Sequence, residues 1–372
     1  MANALVGRKN LLDITYYPVI LTRGSWEPSL PLENLKDPLL VNAAQSTNAA
    51  KASTQWEVDF SVPREIKTSV IPRHNLRQGA RYRKRYTNTP NFIEDLTVNG
   101  GHAVGATSIS LAGGAGSITV HANDYITFGS GTDVYKVTGT VTVPGGGTAS
   151  ITITPGLVSG LSDGMDVVCR TGNYDAPLRD TGWVNVWRVV YPWGTLPYGH
   201  PSFFTGTLSA EEIARTVMPI VDISPASLFA RYELVELDDI DNADGCVRIP
   251  RHYVSSGWQP TINIAYGLRK GRISNTLTAG PRGGAAFYDV RPNQRRIGFS
   301  LNNIEFDEAM RNVEEIHEQL DIHEQLFFVL DPDDDVNLHR NAFLCTLEKI
   351  DEYDFPYYRR INAPFNLIEV ME

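Results

Sequence analysis

Two runs of oxygen-bearing side chains are the first candidates for chemistry in this sequence. Asp238-Asp239-Ile240-Asp241-Asn242-Ala243-Asp244-Gly245 and Asp331-Pro332-Asp333-Asp334-Asp335 set several carboxylates at loop spacing, as a calcium ion requires. Neither follows the twelve-residue EF-hand order, because no Glu closes the loop at the right distance. Both fall between strand-like segments, where Asp, Asn and Gly are favoured for turn formation alone. The structural turn is the preferred reading of each, with metal at Asp238–Asp244 or Asp331–Asp335 left open, and no metal ligand is assigned.

Catalytic sets are hard to find. The 8 histidines are scattered, and no HExxH, GxSxG or supported Cys/His pairing occurs. His317 and His323 belong to an acidic helix and its exit, where solvation or capping accounts for them. Cys169, Cys246 and Cys345 are far apart and in no metal-like spacing, so they read as small buried thiols in a reducing compartment. With 43 Asp and Glu, a carboxylate pair for glycoside hydrolysis has no specificity. Pro144-Gly145-Gly146-Gly147 leads into another strand and not into a helix, so it reads as a hairpin tip and not as a phosphate cradle. The expectation is a chain that is not an enzyme, with no catalytic residue and no cofactor.

A third candidate is aromatic. The proline-rich stretch from Trp187 to Pro219 holds Trp193, Tyr198, Phe203 and Phe204. Exposed aromatic faces bind sugar rings or partner proteins, which makes these four the candidate recognition residues. The preferred alternative is packing, with Trp183, Trp187 and Trp193 covering a core or an inter-domain contact.

The elements that must position these groups are mostly strands. Trp56-Glu57-Val58-Asp59-Phe60 alternates, Pro63-Arg64-Glu65 reads as a turn, and Ile66 to Ile71 and Ala80 to Arg83 read as further strands. Residues 96–168 carry 15 of the 31 glycines and only five charged residues, between short β-branched runs. That composition signals a small inserted antiparallel unit, and insertions of this kind succeed at exposed loop tips. Alternation resumes at Thr181 to Trp187 and at Phe229 to Val235, and Ser209 offers a helix N-cap. Further on, Ile297, Phe299 and Leu301 mark a strand and Asn302-Asn303 a helix cap. Phe306, Met310, Val313, Ile316 and Leu320 then give one amphipathic helix with an acidic outer face. Strands over 326–330, 343–347 and 365–370 complete an α+β unit.

Whole-chain arithmetic bounds the function. The 372 residues suggest two or three domains, and 42% hydrophobic content is enough for real cores. The 33 Lys and Arg against 43 acidic residues give a net charge of -10, which argues against bulk attraction to nucleic acid. The one dense basic stretch, Arg73 to Arg85, is short and interrupted. No apolar run reaches membrane-spanning length and no secretory leader is visible, so membrane insertion is not expected.

A resemblance adds to this. Leu35-Lys36-Asp37-Pro38, Ser46-Thr47-Asn48-Ala49-Ala50, Thr54 to Phe60 and Pro72-Arg73-His74-Asn75-Leu76 resemble the first half of a discoidin-type, galactose-binding-like sandwich found in bacteriophage and prophage tail genes. Ala80 to Arg83, Asp180 to Gly194, Ala230 to Leu234 and Asp238 to Gly245 are similar to later segments of the same phage family. Arg296 to Leu301, the helix after it and Phe328 to Asp331 resemble the β-barrel-with-helix unit of distal tail proteins. No sugar-binding residue carries over.

The expected fold is therefore mainly β. A discoidin-like β-sandwich over 1–95 and 171–256 is interrupted by a Gly-rich β insertion over 96–170. An α+β, β-barrel-like unit with one amphipathic helix follows over 257–372. The resemblance implies a structural virion protein of a long-tailed phage, part of the tail tip or baseplate and assembled in a bacterial cytoplasm. Its implied partners are other copies of itself, in a ring of six or three, and neighbouring tail proteins. The alternative is a carbohydrate-binding adhesin contacting a host-surface glycan.

Overall fold

The computed structural model describes residues 3–13, 18–90, 96–122, 124–131, 133–279 and 287–371. The fold is mainly β, with several sheets, one of them nearly closed like a barrel, and a single helix of 15 residues.

The largest early sheet is antiparallel and has seven strands. Its order is Arg179–Asp180, Arg81–Thr87, Ile220–Asp238, Trp56–Ile71 and Tyr253–Ser255. Val184–Asn185 also pairs with Arg81–Thr87, and Ile20–Thr22 with Trp56–Ile71. Period-2 alternation sends neighbouring residues to opposite faces. Ile71, Ile220 and Val254 enter one core, with Trp56, Val58, Phe60, Tyr82, Val235 and Leu237. Their neighbours Val70, Val221 and Tyr253 enter another, against Phe327, Val329, Leu338 and Leu344 of the last third of the chain. Both faces are dry here, which is why Val70-Ile71, Ile220-Val221 and Tyr253-Val254 are apolar on both parities.

The turn expected at Pro63-Arg64-Glu65 is absent, and Trp56–Ile71 is one continuous 16-residue strand. Its partner Ile220–Asp238 is equally unbroken, and the pairing slips between Ile223/Leu228 and between Ala230/Tyr232. Pro63 falls in the second slip, where a proline removes no ladder hydrogen bond, and Ser61 takes the bend at φ 64°. A bulge has absorbed the residues that read as a turn.

Strands from 96–169 pair only with one another. They make a six-stranded sheet ordered Val167–Cys169, Tyr125–Phe128, Tyr135–Val137, Thr148–Thr154, Ser108–Gly113 and Leu96–Val98, beside the pair Val141–Val143 and Ile118–Val120. Their side chains fill a core of their own around Ile109, Leu111, Ile126, Val137 and Ile151. Residues 91–95, the last of the expected first half of the sandwich, lie outside the described residues. Pro144 to Gly147 does turn, with Gly147 N–H donating to Pro144 O at 2.9 Å. It is not a hairpin tip, because the strands it joins lie in different sheets.

The last third builds a second seven-stranded sheet, ordered Leu5–Val6, Leu326–Val329, Ala342–Leu347, Arg360–Glu369, Gln294–Glu305 and Arg269–Ile273, with Asp354–Tyr357 also on Arg360–Glu369. Its first strand comes from the opposite end of the chain. Leu5–Val6 was expected with the sandwich, yet it pairs with Leu326–Val329 and exchanges hydrogen bonds with Trp258 at 2.7 and 2.8 Å. Gly7 makes this passage feasible, since a Cβ there would stand 2.7 and 2.8 Å from the Phe327 backbone.

The helix starts later than Asn302-Asn303 suggested. Gln294–Glu305 remains a strand through Asn303, whose φ of 68° marks a bulge, and the helix begins at Phe306. Val313, Ile316 and Leu320 are buried against Phe299, Phe328 and Phe365, while Phe306 and Met310 are partly buried beside them. The turn widens to π geometry over Met310–Glu314, where the buried Asn312 side chain donates to Glu308 O at 2.7 Å and accepts from Arg8. Among the described residues, no helix is long and apolar enough to cross a membrane.

Candidate functional site

The aromatic stretch is a fixed loop whose rings face solvent. Its base is closed where Val190 and Tyr191 N–H both donate to Gly206 O at 2.8 Å, and Gly206 N–H to Ser202 O at 2.8 Å. Gly206 has φ 66°, and a Cβ there would stand 2.7 Å from Tyr191 O, so only glycine closes this loop. Trp187 anchors the entry, buried in the sandwich core with Nε1 donating to Leu76 O at 3.0 Å. On the exit side Ser209 caps the short helix Ala210–Ile213 as expected, in a reciprocal box with Glu212.

Between these anchors the rings cluster. Phe203 is central, with ring centroids 5.8 Å from Trp193, 5.5 Å from Tyr198 and 5.1 Å from Phe204. Trp193, Tyr198 and Phe204 are 81%, 87% and 79% exposed. The packing reading thus holds for Trp187 and fails for Trp193. Trp183 is half-buried, with the Lys51 ammonium 4.0 Å above its ring. All four candidate residues come together on one patch. An exposed, edge-to-face aromatic patch can stack on a flat apolar surface or a sugar ring.

The carboxylates of the acidic runs, Asp333 excepted, are engaged within the chain. Arg77 takes Asp239 at 2.9 Å and also Asp241, Arg81 takes Asp238 at 2.5 Å, and Asn75 takes Asp244 at 2.8 Å. In the second run Asp334 bonds Asn337, Asp335 meets Arg188, and Asp331 caps the Asp333 N–H. No group of three or more His, Cys, Asp or Glu placed to hold a metal occurs among the described residues. These same pairs neutralise the basic stretch: Arg83 meets Asp180, and Arg85 lies 3.0 Å from Glu236. The three cysteines are free and buried. His323 is solvated, but His317 packs its ring 6.0 Å from Phe365 and 6.4 Å from Tyr353.

The sequence reading missed a second polar constellation, inside the sandwich. Lys84, Glu233, Ser69 and His252 are all fully buried. Lys84 Nζ donates to Ser69 Oγ at 2.6 Å, Ser69 Oγ donates to Glu233 Oε1 at 2.5 Å, and His252 Nε2 lies 3.0 Å from Ser69 Oγ. Tyr86 adds its hydroxyl to Glu233 at 3.2 Å and to Asp222 at 2.8 Å. Burial opposes the Glu233 charge, but the His252 ring, the Lys84 ammonium and the Ser69 hydroxyl outweigh it and hold the carboxyl below its usual range. Burial lowers both Lys84 and His252. A seryl hydroxyl beside an imidazole suggests nucleophilic chemistry, yet none of these atoms meets solvent. The set is a structural cross-brace. One signal was available: in Arg81-Tyr82-Arg83-Lys84-Arg85-Tyr86, Lys84 shares the inward parity of the two tyrosines.

No family model matches this chain, and no curated protein matches it. Among solved structures, one titled "Crystal structure of the receptor binding domain" aligns over 100% of this chain and 94% of its own, at 8% identity and a TM-score of 0.09. That score carries no argument about fold.

Proposed function

We propose that this chain is a structural, non-enzymatic protein of a long-tailed bacteriophage virion, part of the tail tip or baseplate, which forms a homo-oligomeric ring and docks neighbouring tail proteins. The observation that carries this reading is the number of separate aromatic surfaces. Besides the Trp193 patch, Phe287 and Tyr288 stand 62% and 64% exposed on the hairpin strand Phe287–Asp289, and Tyr357 and Tyr358 are 70% and 92% exposed at the turn after Asp354–Tyr357. A monomer rarely leaves several such patches bare, whereas a subunit with several neighbours needs them. Ring subunits meet through two different faces, and exposed aromatic residues on three different elements of the chain suit that need.

The second reading, a carbohydrate-binding adhesin, is favoured by the Trp193, Tyr198, Phe203 and Phe204 patch alone. Sedimentation of the full chain at rising concentration and mass spectrometry of purified virions test the first reading. A closed oligomer and presence in virions are expected. A strict monomer absent from virions overturns it. A glycan array with the intact chain tests the second.

A further inference from the structure

Between the aromatic loop and the sheet of the last third lies a cleft of about 860 Å³. Six arginines line it: Arg73, Arg215, Arg272, Arg291, Arg295 and Arg340. Among the described lining residues two are carboxylates, Glu212 and Glu369, and both are already engaged. Glu369 binds the Arg295 guanidinium at 2.5 Å and its backbone N–H at 2.9 Å. Glu212 caps Ser209 and accepts from the Tyr191 hydroxyl. Arg215 is held by Glu211 and Arg291 by Asp289, both at 2.8 Å. Arg272 and Arg340 have no carboxylate partner among the described residues, and both are exposed. In a chain of net charge -10, a cleft of this sign is not a consequence of composition.

A second observation comes from the wall of the cleft. His339 lines the cleft at 6% exposure, with its Nδ1 fully buried. Burial, then the charges of Arg340, Arg295 and Lys270, push this imidazole down to about 4. Lys270 is pushed down by its own burial, then by Arg295, Arg272 and Arg340. These cations repel one another where the fold fixes them, and an anion seated among them relieves that repulsion.

We infer that this cleft binds an acidic oligosaccharide, whose carboxylate or phosphate groups are held by Arg272 and Arg340. The guanidinium fork suits a planar carboxylate or a phosphate. Asn293 in the wall offers an amide to sugar hydroxyls, as does Asn275 beside its bond to Pro292 O, and Tyr191 in the wall belongs to the same loop as Trp193, its ring 6.1 Å from that of His200. One loop thus supplies both a wall of the charged cleft and the exposed rings, a combination that an isolated small anion does not use. The inference is independent of the assembly reading, since it concerns a ligand and not a neighbouring subunit.

Isothermal titration of the intact chain tests it, with a polygalacturonate oligomer, a neutral cello-oligosaccharide of equal length, inorganic phosphate and a single-stranded oligonucleotide as probes. The uronate oligomer is expected to bind, more weakly as salt rises, and the neutral oligomer to bind at least tenfold more weakly. The double variant R272A/R340A, at two exposed positions outside any core, is expected to fold normally and lose at least tenfold in uronate affinity. Phosphate binding with no gain from the oligomer, or equal binding of the oligonucleotide, overturns the assignment to a glycan. No binding of the uronate, or an unchanged affinity in the double variant, overturns the site itself. The oligomeric state, read separately by sedimentation, keeps this outcome distinct from that of the assembly reading.

Discussion

The indole Nε1 of Trp56 donates to Nδ1 of His252 across 3.2 Å, with both side chains fully buried. A nitrogen that accepts from an indole carries no proton, so the His252 proton sits on Nε2, facing Ser69 Oγ. Ser69 then accepts from His252 and Lys84 and donates to Glu233, which uses every hydrogen-bonding site of the hydroxyl. The Lys84 and Glu233 charges cancel through this one oxygen.

Removing one charge from this brace should therefore cost far more than removing both. Lys84→Met is expected to destabilise the sandwich by about 3–5 kcal/mol, because it leaves a buried carboxylate unpaired. The double change Lys84→Met with Glu233→Gln should recover much of that loss. Denaturant unfolding of the single and double variants measures it, and additive losses would show that the two groups do not interact.

Acid should unfold the protein through its buried imidazoles. Burial holds His74 down at about 4 and also lowers His252 and His317. A histidine held neutral in the fold gives stability that is complete above its unfolded pKa of about 6.5 and is lost as pH falls toward the folded value. For His74 alone that loss is about 2–3 kcal/mol between those pH values. Glu57 works in the opposite sense: burial raises it to about 7 despite its ion pair with Arg23, so it favours the fold as pH falls through the same window. Melting temperatures from pH 7.5 to 4.5 should decline overall, and His74→Gln should flatten the slope. A slope unchanged by that substitution counts against His74 as a source.

Two tryptophans six residues apart should behave oppositely. Trp187→Ala removes a core side chain and the donor to Leu76 O, and is expected to cost about 3–5 kcal/mol. Trp193→Ala, with Phe204→Ala added, should leave stability within about 0.5 kcal/mol per residue while weakening whichever association the patch serves. Thermal unfolding paired with sedimentation separates the two effects. A large stability loss at Trp193 would return it to the packing role.

Calcium and its chelators should leave the melting temperature unchanged, because Arg77 and Arg81 already neutralise Asp238, Asp239 and Asp241. A rise of several degrees with millimolar calcium would mean that the ion displaces those guanidinium groups.

Gly7→Ala should cost about 1–3 kcal/mol, since the new methyl has only the Phe327 backbone and the Tyr253 hydroxyl to push against. Limited proteolysis should then release the first residues of the chain faster than in the unmodified protein. An unchanged cleavage rate would mean that Leu5–Val6 holds its place without this close approach.

Local signals were legible wherever one residue type decides the outcome. Glycine content against β-branched runs marked 96–168 as a self-contained β unit, because short strands and turns are nearest-neighbour events. Ser209 was legible as a cap for the same reason, with its partner Glu212 three residues away. The aromatic residues were legible as a group, but not their exposure. Trp187 and Trp193 have the same intrinsic preference for burial, and only the closure at Gly206 turns one inward and lifts the other out.

The sequence by itself determined the class: alternating strands, one amphipathic helix, a glycine-marked insertion, and acidic turns. Those properties rest on periods of two and 3.6 residues and need no distant partner. Tertiary structure alone decided what joins across the chain. It placed Leu5–Val6 beside residues 326–329, carried Trp56–Ile71 straight through Pro63, and matched Lys84 with Glu233. It also gathered Arg272 and Arg340 opposite Tyr191 in one cleft. Contacts between residues more than a hundred positions apart are set by packing the whole chain at once, and no local pattern encodes them.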